Sequence, residues 1–158
     1  MTDTSVHLTV NGRPVGLDRV PAEERLLDTL RWRLGLKGTK EGCRTGGCGA
    51  CTVLREGMPI LACILLTHEL EGTSVTTIEG VATDPIGERV RAAFASAGAF
   101  QCGYCTPGFV MALTGLLREH GRSGSFEELL EDLGGNLCRC TGYAAIVRAA
   151  RLAQESLP

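Results

Sequence analysis

Eight cysteines are the residues most able to support chemistry in this sequence. Four follow the pattern C-x4-C-x2-C and then, after eleven further residues, a last cysteine: Cys43, Cys48, Cys51 and Cys63. The first three have the spacing of plant-type 2Fe–2S ferredoxins, although the gap before the fourth is shorter than expected there. Zinc sites usually pair C-x2-C knuckles, so the four-residue gap favours an iron–sulfur cluster over zinc.

Glycine surrounds the first three cysteines in the stretch EGCRTGGCGAC, residues 41–51. A loop wrapped around a cluster must turn its amide N–H groups toward anionic sulfur, often at backbone angles that side chains disfavour. Four glycines supply that freedom: Gly42, Gly46, Gly47 and Gly49.

The other four cysteines are paired as C-x2-C and C-x-C, namely Cys102, Cys105, Cys138 and Cys140. Taken alone, this pattern fits zinc as well as iron–sulfur, and the first set is what favours iron–sulfur here. Cys105 and Cys140 each precede a predicted helix N-cap, so two positive helix ends are expected to face the site. C-x2-C also marks thiol–disulfide exchange, but that use expects a βαβ context, and these surroundings read as helical.

Charge and composition exclude other classes. Lys and Arg total 16 against 18 Asp and Glu, and only 7 residues are aromatic, so nothing favours nucleic-acid binding. The N-terminus lacks the basic start and apolar core of a signal peptide, and no apolar run approaches the ~20 residues of a membrane helix. We therefore expect a cytoplasmic protein, in which eight cysteines indicate metal or redox chemistry before a disulfide scaffold.

The periodicity predicts an α+β chain in two domains, residues 1–80 and 81–158. In the first, SVHLTV, CTVL, MPILACILL and SVTTI read as strands, Asn11-Gly12 as a hairpin turn, and AEERLLDTLRWRL as a helix. Trp32 on that helix could cap the core or contact a partner, and we favour the core, because large aromatic residues are mostly buried. In the second domain, start signals at Asp84-Pro85, Thr106-Pro107, Ser125 and Thr141 predict four helices.

Three motifs together resemble the small iron–sulfur subunit of the molybdenum hydroxylases, the xanthine dehydrogenase, aldehyde oxidoreductase and carbon monoxide dehydrogenase family. They are KGTKEGCRTGGCGACTVL, FQCGYCTPGFVM and GNLCRCTGY, and the resemblance covers nearly the whole chain. It implies a ferredoxin-like β-grasp domain whose cluster faces a flavin subunit. It also implies a four-helix bundle that holds a second 2Fe–2S cluster near a molybdopterin cofactor.

The resemblance also implies individual roles. Cys43, Cys48, Cys51 and Cys63 would bind the flavin-side cluster, and Cys102, Cys105, Cys138 and Cys140 the molybdenum-side cluster. Gln101 matches a glutamine that hydrogen-bonds the pterin, and Cys140 matches the cysteine that links cluster and pterin. The partners would be a large molybdopterin-binding catalytic subunit and a medium FAD-binding subunit, in a heterotrimer or a dimer of heterotrimers.

One residue departs from the family pattern, because Arg44 stands where many relatives have glycine. A cation there favours the reduced, more negative cluster and so raises its potential, unless solvent screens it.

The chain contains no nucleophile–base pair, flavin fingerprint or phosphate loop of its own. We therefore expect an electron-transfer component that is not catalytic alone. Two alternatives remain from the sequence: a free-standing two-cluster ferredoxin that diffuses between partners, and a zinc-binding interaction module.

Overall fold

The computed structural model describes residues 4–158 as an α+β protein, with a mixed sheet in the first half and helices in the second. Five strands pair in the order β2-β1-β5-β3-β4. Their bounds are β1 Thr4–Val10, β2 Arg13–Val20, β3 Thr52–Arg55, β4 Met58–Leu61 and β5 Ser74–Thr76.

The sheet begins with the predicted hairpin. Asn11 and Gly12 both have positive φ, 51° and 75°, as a two-residue turn between twisted strands requires. β1 pairs antiparallel with β2 and parallel with β5, where Val10 lies opposite Val75. One face of β1 is buried through Val6, Leu8 and Val10, as their alternation predicts.

The predicted first helix forms, but not as a regular α-helix. A short α1, Leu26–Asp28, continues into a π-helical stretch, Thr29–Arg33. Leu26, Leu27 and Leu30 of this segment are buried, while Trp32 remains 64% exposed. The expectation that Trp32 lies in the core is therefore wrong, because Leu26, Leu27 and Leu30 fill the buried side of this segment and Trp32 lies outside it.

Four helices follow the sheet. They are α2 Pro85–Ser96, α3 Thr106–His120, α4 Phe126–Leu133 and α5 Ala144–Glu155. α2 packs against α3 and α5, and α3 packs against α4 and against β3 and β4. Asp84 and Ser125 cap α2 and α4 through their side chains, as the sequence predicts.

The other two helix starts differ from the prediction. The N-cap of α3 is Cys105 itself, one residue before the expected Thr106. α5 begins at Ala144 after Tyr143, which has a left-handed φ of 66°, and Thr141 does not cap it. The N-terminus of α5 thus lies four residues beyond Cys140, not directly after it.

Two apolar cores stabilise the chain, one on the sheet around Leu26, Leu30 and Val75, the other among the helices around Phe94, Phe109 and Leu129. Leu54 of β3 belongs to the helical core, so the halves share packed surface. Among the described helices, none is both long enough and apolar enough to span a bilayer.

Candidate metal centres

The first four cysteines come together around the β3–β4 hairpin. Cys43 and Cys48 lie on the loop before β3 and are partly buried, whereas Cys51 at the end of that loop and Cys63 after β4 are buried. Their thiols interact in two pairs, Cys43 with Cys48 and Cys51 with Cys63, and the pairs meet through Cys48 and Cys51.

Local hydrogen bonds prepare one thiol of this group to ionise. The amide of Thr45 lies 3.4 Å from the Cys43 Sγ. Hydrogen bonds from the hydroxyl and then the amide of Thr45 lower the pKa of the Cys43 thiol to about 6. Burial raises the pKa of the Cys51 thiol to about 12. A buried thiol of this kind ionises when a cation binds to it, because metal coordination deprotonates the ligand.

The second four cysteines meet where the helices begin. Cys102 and Cys105 lie between α2 and α3, and Cys138 and Cys140 lie between α4 and α5. The thiols again interact in pairs, Cys105 with Cys138 and Cys102 with Cys140, the latter with Sγ atoms 3.7 Å apart. Cys138 is buried and Cys105 partly buried, while Cys102 and Cys140 are exposed.

This group also combines an ionisable and a buried thiol. Burial opposes ionisation of Cys138, but hydrogen bonds from the hydroxyl and amide of Thr141 outweigh it and lower the thiol pKa to about 7. Burial raises the pKa of the Cys105 thiol to about 12. Beside Cys105, the Thr106 Oγ1 is buried and has no hydrogen-bond partner among the described residues.

The arrangement of the thiols fits a two-iron cluster. Two sulfurs at about 2.3 Å from one tetrahedral metal lie about 3.8 Å apart, close to the 3.7 Å between Cys102 and Cys140. Within residues 4–158, no three side chains of Cys, His, Asp or Glu converge on a point that suits one ion. A 2Fe–2S centre is held by two pairs of thiolates, one pair on each iron. A single ion would instead need all four thiols around one point.

Hydrogen bonds to backbone carbonyls connect the two cysteine groups, and no motif in the sequence indicated them. The amide of Leu137 donates to the Cys48 carbonyl at 3.0 Å, and the buried Asn136 side chain donates to the Gly49 carbonyl at 3.0 Å. The Tyr104 hydroxyl donates to the Glu41 carbonyl at 2.7 Å. The loops that carry the two groups therefore support each other.

Two glycines make this approach possible. A Cβ on Gly49, which has φ +71°, would lie 2.4 Å from the Asn136 side chain and 2.9 Å from its Cα. A Cβ on Gly108 in α3 would lie 2.3 Å from the Gly49 carbonyl oxygen. The glycine at position 49 was expected from the cluster loop, but Gly108, although it lies in the motif FQCGYCTPGFVM, was given no role from the sequence.

The second cysteine group lies next to exposed apolar side chains. Gln101 is exposed beside Cys102. Large apolar residues close to these cysteines in the chain are also exposed: Phe100, Tyr104, Leu137 and Tyr143. Such a patch around a metal centre is typical of a surface that contacts another protein.

Arg44 has a defined place beside the first group. Its φ of 59° lies in the left-handed region, where glycine is least strained. Its guanidinium contacts Asp28 at 2.6 Å and Glu41 at 3.2 Å, so two carboxylates offset its charge. The potential change expected from an isolated cation is reduced accordingly.

Comparison with known proteins identifies both halves. A family described as a 2Fe-2S iron-sulfur cluster binding domain matches residues 8–75, and one described as a [2Fe-2S] binding domain matches residues 77–151. The chain is 41% identical to the nicotinate dehydrogenase small FeS subunit of Eubacterium barkeri, covering 98% of each chain. It is 44% identical to a probable xanthine dehydrogenase subunit of Bacillus subtilis, covering 90% of this chain and 81% of that protein.

Longer proteins contain a similar region. Aldehyde oxidase 2 of Mus musculus is 45% identical over 90% of this chain, which spans 11% of that protein. Among solved structures, quinoline 2-oxidoreductase from Pseudomonas putida 86 matches with a TM-score of 0.86 and 35% identity, covering 98% of this chain and 96% of that one. Aldehyde oxidoreductase from Desulfovibrio gigas matches with a TM-score of 0.85 and 38% identity, covering 96% of this chain and 17% of that one.

The similarity extends over nearly the whole chain and includes both cysteine-bearing halves. The chain therefore belongs to the family of small subunits of the molybdenum hydroxylases that carry two 2Fe–2S clusters for electron transfer.

Proposed function

We propose that the two cysteine groups bind one cluster each and that electrons pass from the second group to the first. Cys43, Cys48, Cys51 and Cys63 would ligate the first 2Fe–2S cluster. Cys102, Cys105, Cys138 and Cys140 would ligate the second. The thiol pairs and the N–H and O–H groups that point at Cys43 and Cys138 support this ligand set.

The proposed electron route is supported by the hydrogen bond from the Leu137 amide to the Cys48 carbonyl, which is 3.0 Å long. Leu137 is bonded directly to Cys138, and Cys48 is itself in the first group. The path between the groups therefore crosses one hydrogen bond and otherwise follows covalent bonds. When bound, each cluster takes up and releases one electron, and the chain's contribution is to hold, insulate and orient it.

The exposed side of the second group is the proposed contact with a molybdopterin-binding catalytic subunit. Cys102, Cys140 and Gln101 are exposed there. In this proposal the Gln101 amide hydrogen-bonds the pterin, and Cys140 lies between pterin and cluster. The substrate is oxidised in that subunit, and its identity depends on residues outside this chain.

The proposed contact of the first half is a medium FAD-binding subunit, and Trp32 is the proposed anchor. Its exposed ring lies 5.4 Å from the Arg31 guanidinium and 5.8 Å from the Lys37 ammonium. Residues 31–40 contain four cations, Arg31, Arg33, Lys37 and Lys40, and no acidic residue. This surface would complement a partner that has a hydrophobic pocket for the Trp32 ring and carboxylates around that pocket.

Replacing Trp32 by alanine should weaken attachment of the flavin subunit about tenfold or more, because exposed tryptophans at interfaces are frequent hot spots. The measurement is the salt concentration at which that subunit dissociates from the co-expressed complex during gel filtration. Leu152→Ala, a large exposed residue on α5, is the matched control and should dissociate like the unmodified complex. Equal salt tolerance of both variants would contradict the anchor.

We propose that the sheet half, residues 1–80, is a β-grasp domain and that the helices of residues 81–158 form a four-helix bundle. The complex would be a heterotrimer or a dimer of heterotrimers. The cytoplasmic location expected from the sequence stays a prediction, to be checked by cell fractionation.

Metal analysis of the purified complex tests the ligand assignment. Two 2Fe–2S clusters give four irons and four acid-labile sulfides for each copy of this chain, with two distinguishable EPR signals after reduction. Two irons and one signal would mean that one cysteine group has another role. A chain that purifies alone with both clusters and transfers electrons by diffusion would instead act as a free ferredoxin.

A further inference from the structure

Thr141 directs two hydrogen-bond donors at a single sulfur atom. Its hydroxyl oxygen lies 3.1 Å from the Cys138 Sγ and its amide nitrogen 3.4 Å from the same atom. The sequence assigned Thr141 to a helix cap, which it does not form. Its side chain is therefore free to serve the cysteine group.

A ligating Cys138 thiolate has no proton, so the Thr141 hydroxyl is the donor in this hydrogen bond, and Tyr143 helps to orient it. The Tyr143 amide donates to the Thr141 Oγ1 at 3.2 Å, so the threonine oxygen is already an acceptor. The Cys138 amide in turn donates to the Tyr143 hydroxyl at 2.9 Å. These contacts form a closed ring in which the Thr141 proton points to the Cys138 Sγ. Hydrogen bonds linked in this way strengthen one another.

Packing holds the ring in place. Tyr143 has a left-handed backbone, and its side chain packs edge-on against Phe109, with ring centroids 6.4 Å apart. Phe109 is buried in α3, the helix that begins at Cys105. The Thr141 hydroxyl is thus positioned by the folded chain and does not depend on the bound group for its orientation.

We propose that Thr141 sets the reduction potential of the second cluster by donating its hydroxyl hydrogen bond to Cys138. This inference rests on the proposed function, in which Cys138 is a ligand. Reduction adds one electron to the cluster, and no bond forms or breaks. The thiolate sulfurs become more negative, and the threonine keeps its proton. A hydrogen bond to a more negative acceptor is stronger, so the reduced state is stabilised and the potential rises.

The test is an EPR-monitored redox titration of the assembled complex with Thr141→Val, which keeps the shape and removes the hydroxyl. At a fixed ambient potential, the ratio of reduced to oxidised second cluster should fall about tenfold, a downward shift of about 59 mV for one electron. Thr141→Ser retains the hydroxyl and should titrate like the unmodified complex. Thr83→Val, whose hydroxyl donates to the Gly80 carbonyl, is the remote control and should leave both potentials unchanged.

The proposal would be overturned if Thr141→Val kept its full iron content and the reduction potential of its second cluster were unchanged. It would also be overturned if Thr141→Ser lowered that potential as much as Thr141→Val does. If the valine variant loses iron, pulsed EPR of the unmodified complex in D2O decides the question. The reduced second cluster should then show an exchangeable hydroxyl proton beyond those of the amides, and its absence would overturn the proposal. Failure of the ligand assignment is distinguishable, since the unmodified complex would then lack the second signal.

Discussion

Replacing Gly108 by alanine is expected to destabilise the chain by about 2 kcal/mol and to disturb both cysteine loops. The added Cβ would lie 2.3 Å from the Gly49 carbonyl oxygen and 2.9 Å from the Ala50 Cα, and backbone atoms cannot rotate away. Overpacking of this kind costs up to about 3 kcal/mol, against a gain of about 1 kcal/mol in helix propensity. For a chain of this size, the apparent Tm should fall by about 5 °C.

Two glycine variants separate this effect from the mere loss of glycine. A Cβ on Gly135 meets nothing within 4 Å, and one on Gly47, inside the first cysteine loop, meets only the Thr45 hydroxyl at 3.9 Å. Neither residue has a positive φ. Alanine at either position should leave the Tm and the iron content unchanged. If Gly108→Ala matched these controls, α3 would not depend on close contact with the loop.

Serine in place of Cys51 should remove the first cluster and stop electron transfer to the flavin. Cys51 is buried, and a serine hydroxyl is a poor substitute for the soft thiolate that iron–sulfur centres require. Iron should fall from four to two per chain, with loss of one EPR signal. Substrate should still reduce the second cluster in a single turnover, because the proposed order places that cluster on the molybdenum side.

The matching variant Cys105→Ser should give the opposite result. Without the second cluster, substrate should reduce neither the first cluster nor the flavin, although dithionite still reduces the first cluster directly. Rapid-freeze EPR of both variants after mixing with substrate therefore determines the order of the clusters. First-cluster reduction by substrate in Cys105→Ser would reverse the order proposed here.

Local sequence signals predicted much of this fold because their causes are local. Asn11-Gly12 forms the hairpin turn since both residues tolerate positive φ, and Asp84 caps α2 since its carboxylate reaches the amides of Ile86 and Gly87. The eight cysteines fall into two spatial groups as their spacing predicted. Cysteines that are close in the sequence lie on one connecting segment, where spacing along the chain constrains spacing in space, whereas the meeting of the two segments in each group depends on the fold.

Predictions from the sequence were wrong or incomplete where a contact in the folded chain outweighed a local sequence preference. Thr141 has the residue type of an N-cap, but its hydroxyl donates to the Cys138 Sγ, and α5 starts later behind Tyr143. Trp32 was expected in the core because large aromatic residues are mostly buried, but leucines fill the buried side of this segment, and the Trp32 ring lies beside Arg31 and Lys37. The bonds from Asn136 and Leu137 to the first loop connect residues nearly 90 positions apart, which no local pattern reports.

The contact between the two halves limits how this sequence can diverge. Gly49, Gly108 and Asn136 occupy one small volume, in which a Cβ at either glycine would meet the backbone of the other half. A larger residue at position 49 requires a smaller one at 136 and a displaced backbone, so single substitutions are disfavoured. Changes at these three positions should therefore accumulate together, even though they lie in regions of the chain that belong to different domain families.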